Sequence, residues 1–288
     1  MTSVAESLKA ATQRLTTIAH GSARLEADLL LAHVLDKPRI HLITWPDTPL
    51  EAAQAAAFES LLQRRLDGEP MAYLLGHREF WTLDLKVTPD VLIPRPDTEL
   101  LVEQALVALP ADFPAIVADL GTGSGAVAAA LAAERPGWRI YATDASEAAL
   151  RIAAENFCDL GLQVTCLPGI WCQALPTDVG FHLIISNPPY IAETDPHLLR
   201  GDVRSEPRHA LVSGADGLND IRRIVDSAPA HLAADGLLLL EHGYDQGAAL
   251  REILVQRGFQ QVRTHRDLAG HERVSGGVWP GSETDIDS

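Results

Sequence analysis

Cysteine is scarce in this chain. Cys158, Cys166 and Cys172 are the only three, their number is odd, and none forms a C-x-x-C pair. That spacing argues against a disulfide framework and against a zinc-type centre, and no metal ligands are assigned; buried thiols in a reducing compartment are the expectation. Long apolar runs are also missing. No stretch reaches the length of a membrane span. The N-terminus has no charged segment followed by an apolar core, so no secretory leader is read and a cytoplasmic location is expected. Positive charge is in deficit: 23 Lys and Arg stand against 39 Asp and Glu, a formal net charge of -16. Such an acidic balance, with no basic stripe interleaved with aromatics, argues against extended contact with nucleic-acid phosphates. A basic protein partner fits better. No internal repeat and no low-complexity segment is present.

What remains is ordinary globular material. Hydrophobic residues make up 47% of 288, enough for one large domain and a small one. Residues 1 to about 75 read as several short helices. Leu8, Ala11, Leu15 and Ile18 form one apolar face. Ser22 is placed to cap a helix over 23–35 with Leu25, Leu29 and Leu30 inward. Thr48-Pro49-Leu50-Glu51 has the form of a capping box with proline at the first helical position, opening a helix that Gly68 stops. Leu83, Leu85 and Val87 alternate with polar residues, so 79–88 is expected to be one arm of a hairpin. Ile93-Pro94-Arg95-Pro96 forces an extended linker, and Asp97 can cap a helix over 98–109. Arg95 is either a solvated linker charge or a side chain held between two prolines to face a ligand or partner.

From residue 115 strands and helices alternate, which calls for a mostly parallel sheet flanked by helices, an α/β fold with a small helical bundle before it. The last two strands, lacking a helix between them, are expected to be antiparallel. Ile116–Leu120 leads into Gly121-Thr122-Gly123-Ser124-Gly125 and then an Ala-rich helix. Glycines allow close backbone approach to a ligand, and the helix N-terminus offers free N–H groups. No Lys-Ser or Lys-Thr follows, so this is not a Walker-type phosphate loop. Asp144 ends the next strand, 21 residues after Gly123. There it can meet ribose hydroxyls; it can equally cap the following helix, unless Ser146 does so. Trp171 follows the third strand and can pack on an adenine ring or close the core. The fourth strand, 181–186, stops at Asn187-Pro188-Pro189-Tyr190, since neither proline can continue a ladder. That corner offers the Asn187 side-chain oxygen, the Pro188 carbonyl and the Tyr190 ring to a planar –NH2 group. It is also an ordinary way for a strand to exit into a loop. The stretch from 191 to about 217 has the length and composition of a lid or partner-binding segment.

With Gly121–Gly125, Asp144 and Asn187–Tyr190 together, the chain resembles class I S-adenosylmethionine-dependent methyltransferases, and more narrowly the HemK/PrmC family. The likeness extends through Tyr73-Leu74-Leu75-Gly76, Leu92 to Glu99, Glu206-Pro207, Asp216-Gly217-Leu218 and Asp267 to Gly270. The resemblance implies methyl transfer from S-adenosyl-L-methionine to N5 of a glutamine in class 1 peptide chain release factors, that of their Gly-Gly-Gln motif. It implies a helical substrate-docking domain at 1–76, a hairpin and linker at 77–96, a methyltransferase domain at 97–280 and an acidic tail at 281–288. It assigns Gly121, Thr122, Gly123, Ser124, Gly125, Asp144, Trp171 and Asn187 to the cofactor. Asn187, Pro188, Pro189 and Tyr190 are assigned to the substrate, with Asn187, Pro188 and Tyr190 carrying the chemistry. A monomer with no nucleic-acid or membrane contact is expected. The chain departs from the family pattern in having Ile170 where many relatives have Asp before the tryptophan, and His242 where an aliphatic residue is frequent. The alternative is a nucleic-acid exocyclic amine methyltransferase using the same corner. A cofactor-binding protein without catalysis is disfavoured by the intact corner.

Overall fold

In the computed structural model of the chain, residues 2–19, 21–199 and 201–281 are described. The acidic tail expected at 281–288 lies outside them except for Gly281. Two compact units are present, Met1–His77 with Leu199–Ser205, and Arg78–Leu198 with Glu206–Ser288.

The first unit contains α1 (Val4–Leu15), α2 (Ala23–Leu35), α3 (Arg39–Thr44), α4 (Ala52–Leu66) and α5 (Met71–Leu75). Leu8, Leu15, Leu30, Leu31 and Leu62 are almost wholly buried where α1, α2 and α4 meet. Each contributes roughly 1.5–3 kcal/mol by leaving water. Ser3 and Glu6 form the capping box of α1, with Ser3 Oγ accepting from the Glu6 N–H. Three expectations fail here for local reasons. Helix α4 starts at Ala52, capped by Glu51 and Gln54, because Pro49 is held extended in a bridge to Ser3. Ser22 precedes α2 but makes no cap; its hydroxyl donates to Glu26 instead. Ile18 lies beyond the end of α1, and both it and Leu25 are exposed. The inward face of α2 even includes Glu26, which accepts from Arg65 at 2.8 Å; Arg65 also reaches Asp202 at 2.9 Å.

In the second unit β1 (His77–Phe80), whose first residue belongs to the first unit, pairs with β2 (Leu83–Lys86). The single arm expected at 79–88 is therefore both arms, with Trp81 at a positive φ of 59° in the turn. The main sheet has β3 (Ile116–Leu120), β4 (Arg139–Asp144), β5 (Val164–Pro168), β6 (Phe181–Ser186), β7 (Leu232–Glu241), β8 (Gln260–Arg266) and β9 (Glu272–Val278). Their order is β5-β4-β3-β6-β7-β9-β8. The first five are parallel, and β9 is antiparallel to both its neighbours. The expected parallel sheet with an antiparallel end is present, but the last strand inserts beside β7 and leaves β8 at the edge.

Side chains alternate across these strands. Val117, Leu183, Ile185 and Leu239 join the core under α6 (Glu99–Ala108), α7 (Ala126–Glu134) and α8 (Glu147–Asp159). Ala118, Leu120, Ile184, Leu238 and Leu240 join the core under α9 (Asn219–Ser227) and α10 (Gly247–Arg257). Helix α6 is preceded by a 3-10 turn at Pro96–Thr98, so Asp97 is not its cap and instead pairs with Arg273 at 3.2 Å. Helix α9 ends at Ser227, because the chain tightens at Ala228–Ala230, around Pro229, before β7. Of the thiols only Cys172 is buried; Cys158 is exposed. Among the described residues no helix is long and apolar enough to cross a membrane.

Strand β9 lies close against β7 at Gly276, where an added Cβ would come 2.2 Å from the Leu238 carbonyl oxygen. Gly276→Ala is expected to destabilise by about 1–3 kcal/mol through forced backbone shift, read as a lower denaturant midpoint at unchanged slope.

Candidate active site

Parallel register places the site. Leu120 of β3 is level with Thr143 of β4 and Ser186 of β6, and Ser186 is level with Leu240 of β7. The next residues along these four adjacent strands are Gly121, Asp144, Asn187 and Glu241. They share the carboxyl edge of the sheet at the point where the chain, having laid β4 and β5 on one side of β3, returns to lay β6 on the other. That is where crevices open in doubly wound sheets. The Ser186 hydroxyl donates to the Leu120 carbonyl at 2.6 Å and ties the two strand ends together.

The glycine turn is built by close approach. At Gly121 a Cβ would lie 2.8 Å from the Trp171 ring, and at Gly125 it would lie 2.7 Å from Phe157 of α8. Gly121 thus lets the indole fold over the turn, while Gly125 lets α7 and α8 pack. Both have positive φ, 69° and 84°. Trp171 itself sits at a φ of 48°, an uncommon backbone for a bulky residue and one that marks a constrained site. Asp144 Oδ2 accepts from the Gly123 N–H at 3.0 Å and Oδ1 from the Ser146 N–H at 2.8 Å. Ser146 caps α8 by accepting from Ala149. Asp144 therefore braces the glycine turn, and each of its oxygens keeps further accepting capacity.

A cavity of about 230 Å³ opens at this edge. Gly121, Gly123, Asp144, Trp171, Asn187 and Pro189 line it, with Val91, Leu92, Ile170, His209 and Arg223. A smaller cavity of about 50 Å³ is lined by Pro94, Arg95, Thr98, Asp119, Thr122 and Ser124. Gly121, Gly123 and Asn187 border both. Gly125, Pro188 and Tyr190 line neither: Gly125 serves helix packing, Pro188 is buried, and Tyr190 is half-buried with its hydroxyl on Glu241 at 3.2 Å. Asn187 Nδ2 donates to Thr98 Oγ1 at 3.0 Å. Among the described residues no donor reaches Asn187 Oδ1 or the Pro188 carbonyl.

Two buried carboxyls beneath this edge were not singled out from the sequence. Asp119, the last residue but one of β3, accepts from the Thr122 hydroxyl at 2.6 Å and the Ala128 N–H at 3.3 Å. Burial pushes it up to about 6, against those two hydrogen bonds. Glu241 ends β7, and burial pushes it up to about 7, opposed by the nearby Thr98 and Tyr190 hydroxyls. Burial also carries the Tyr190 phenol far above its usual range. The signal was available for Glu241: an acid closing the apolar run Leu237–Leu240 at the edge where ligands bind. Arg95 is held by the fully buried Glu206 carboxylate at 2.6 Å, and the segment read as a lid or partner-binding loop carries 3-10 turns at Pro196–Leu199, Gly201–Ser205 and Arg208–Ala210.

Residues 6–76 match the family model described as the PrmC N-terminal domain, and 96–204 match the methyltransferase small domain. The release factor glutamine methyltransferase of Pseudomonas aeruginosa is 54% identical, over 90% of this chain and 93% of that protein. That of Vibrio cholerae is 50% identical over 94% and 95%. In fold the chain is similar to a methyltransferase from Pyrococcus furiosus, with a TM-score of 0.53 at 18% identity over 77% of this chain and 99% of the other. It is also similar to the 16S rRNA N2 G1207 methyltransferase of T. thermophilus solved with AdoMet and guanosine, at 0.53 and 19% identity over 70% and 49%.

The raised Asp119 carboxyl has a stability consequence. The folded chain holds this proton more tightly than the unfolded chain does, so its contribution to stability is present below the ordinary aspartate value of about 3.8, declines as pH rises, and is lost above about 6. Asp119→Asn should remove that part of the slope in denaturant titrations compared with wild type across the same window.

Proposed function

The chain belongs to the release factor glutamine methyltransferase family, and on that premise we propose that it transfers a methyl group from S-adenosyl-L-methionine to the side-chain amide N5 of a glutamine in class 1 peptide chain release factors, that of the Gly-Gly-Gln motif. One observation carries the reading: Asn187, with an unengaged side-chain oxygen, borders both cavities one residue beyond a strand in register with the strand of the glycine turn.

The residues present fit the cofactor. The Trp171 ring, packed over Gly121 at the wall of the larger cavity, offers an apolar surface for a flat base, and Asp144 retains lone pairs for the ribose hydroxyls. Thr122, Gly123 and Ser124 line the smaller cavity toward the methionine end. Ile170, half exposed at the cavity wall, offers no polar contact to the base. When bound, S-adenosyl-L-methionine supplies an electrophilic methyl group on a sulfonium.

An amide nitrogen is a poor nucleophile because its lone pair is shared with the carbonyl. Asn187 Oδ1 and the Pro188 carbonyl accept its two N–H groups, which orients the lone pair toward the methyl. The same oxygens place partial negative charge where positive charge grows on nitrogen. Holding the two reacting atoms at near-attack distance contributes about 7–11 kcal/mol in well-oriented systems. The prolines set the corner before substrate arrives, and Tyr190, held by Glu241, closes it. The proton leaves to solvent after transfer, so no strong base is required. The acidic balance of -16 counts against transfer to a nucleobase amine at the same corner.

Asn187→Ala should lose about 10²–10³-fold in turnover with an unchanged circular dichroism spectrum, measured with radiolabelled cofactor on release factor, DNA and RNA in parallel. Equal turnover would exclude the corner, and label on nucleic acid alone would exclude the substrate. Asp144→Ala should weaken cofactor binding by about 1.5–3 kcal/mol for each charged hydrogen bond removed, by calorimetry.

A further inference from the structure

We propose that Arg95 is a cofactor-binding residue: its guanidinium, fixed on one edge by Glu206, takes the α-carboxylate at the methionine end of S-adenosyl-L-methionine on another. The inference rests on the functional reading above.

Arg95 is firmly held. It lies between Pro94 and Pro96, and its backbone is extended at φ −103° and ψ 143°, the conformation that a following proline favours. The guanidinium meets the Glu206 carboxylate through one nitrogen alone: Nη2 donates to Oε1 at 2.7 Å and to Oε2 at 2.6 Å. The Glu206 side chain has no exposed surface, and this residue too precedes a proline, Pro207. A guanidinium has five N–H groups in one plane, and Nη2 carries two of them. Nε and Nη1 carry the rest, and among the described residues they have no acceptor. Arg95 is half-buried and lines the smaller cavity. One guanidinium can serve two carboxylates, as Arg273 does here with Asp97 and Asp267. Arg95 has one and retains donors for a second.

The cavity limits what that second group can be. At about 50 Å³ it holds only a few atoms, the end of an amino acid and not a nucleoside. The larger cavity, with Trp171 and Asp144 on its wall, suits the nucleoside, and Gly121 and Gly123 border both. Among the residues lining the smaller cavity Arg95 is the one cation and Asp119 the one acid. A ligand that uses both signs side by side is a zwitterion, which is what the methionine end offers. The uncharged glutamine amide has no such need. Its N–H groups require acceptors, which Asn187 and Pro188 supply and an arginine cannot. A guanidinium edge pairs with a carboxylate in a fixed fork, so lysine is not equivalent at this position.

The test is calorimetric and uses the full chain with no release factor present. Three ligands are compared: S-adenosylhomocysteine, its decarboxylated form S-adenosyl-3-thiopropylamine, and 5′-methylthioadenosine, which lacks the amino-acid end. Arg95→Gln should weaken S-adenosylhomocysteine about 10–100-fold. Its affinity for the other two should stay within about threefold of wild type, because the group that Arg95 meets is already gone from them. Arg95→Lys, with the charge but not the fork, should fall between glutamine and wild type. Wild-type affinity of Arg95→Gln for S-adenosylhomocysteine would overturn the proposal. An equal loss for all three ligands would overturn it too, since the side chain would then serve only to hold the cavity wall. So would lost turnover on release factor with S-adenosylhomocysteine affinity intact, which would move Arg95 to the substrate. If Arg95→Gln does not fold, Arg95→Lys decides by the same comparison: a selective loss supports the carboxylate contact, and no loss or an equal loss overturns it. A wild type that binds none of the three ligands would sink the cofactor reading first, and the inference with it.

Discussion

Hydrogen-bonded register between parallel strands is the constraint on which the site depends. Because β3, β4, β6 and β7 run in the same direction, their carboxyl ends reach one edge together. Leu120, Thr143, Ser186 and Leu240 are level, so four residues far apart in sequence emerge side by side. A slip of one residue would exchange the two faces of a strand. It would put apolar side chains of one core into the other and move Asn187 away from the glycine turn. Burial of Leu183, Ile184 and Ile185 on alternating faces is what holds β6 in place.

The edge is polar where the sheet is apolar, and this contrast shapes its electrostatics. Asp119 and Glu241 sit in the buried carboxyl-terminal parts of β3 and β7, and both are pushed up by desolvation. Asp144, one strand over, is braced by two backbone N–H groups instead. Three carboxyls on β3, β4 and β7 thus have three environments. One supports the glycine turn from below, one faces the cavity, and one lies under the Asn187 corner. Perturbed carboxyls at a concave site are characteristic of functional chemistry, and here each has a distinct structural partner.

Ion pairs hold the approaches to this edge. Arg95, fixed between two prolines, is bound to a Glu206 carboxylate with no exposed side-chain surface, and Arg273 bridges Asp97 and Asp267. The segment after Tyr190 is restrained as well: Ile191 bridges to Val212, and Gln246 donates to the Tyr190 carbonyl. Short helical turns and these ties replace the open loop that its composition suggested.

Amino-acid order alone determined the α/β class, the strand–helix alternation, the glycine turn, Asp144 and the Asn-Pro-Pro-Tyr corner. These are local signals: apolar runs of strand length, glycines after a strand, prolines that must end one. Helix starts were less legible. Pro49 looked like a first-turn proline until its bridge to Ser3 held it extended, and Leu25 looked inward until the helix bundle buried Glu26 and Asp28 in its stead. Tertiary structure alone decided that Thr98 and Glu241 stand behind Asn187 and Tyr190, that β9 lies inside the sheet edge, and that Gly125 serves packing. Those facts depend on which strands are neighbours and in what register, and register is set by burial summed over both faces of the sheet rather than by any short stretch of chain.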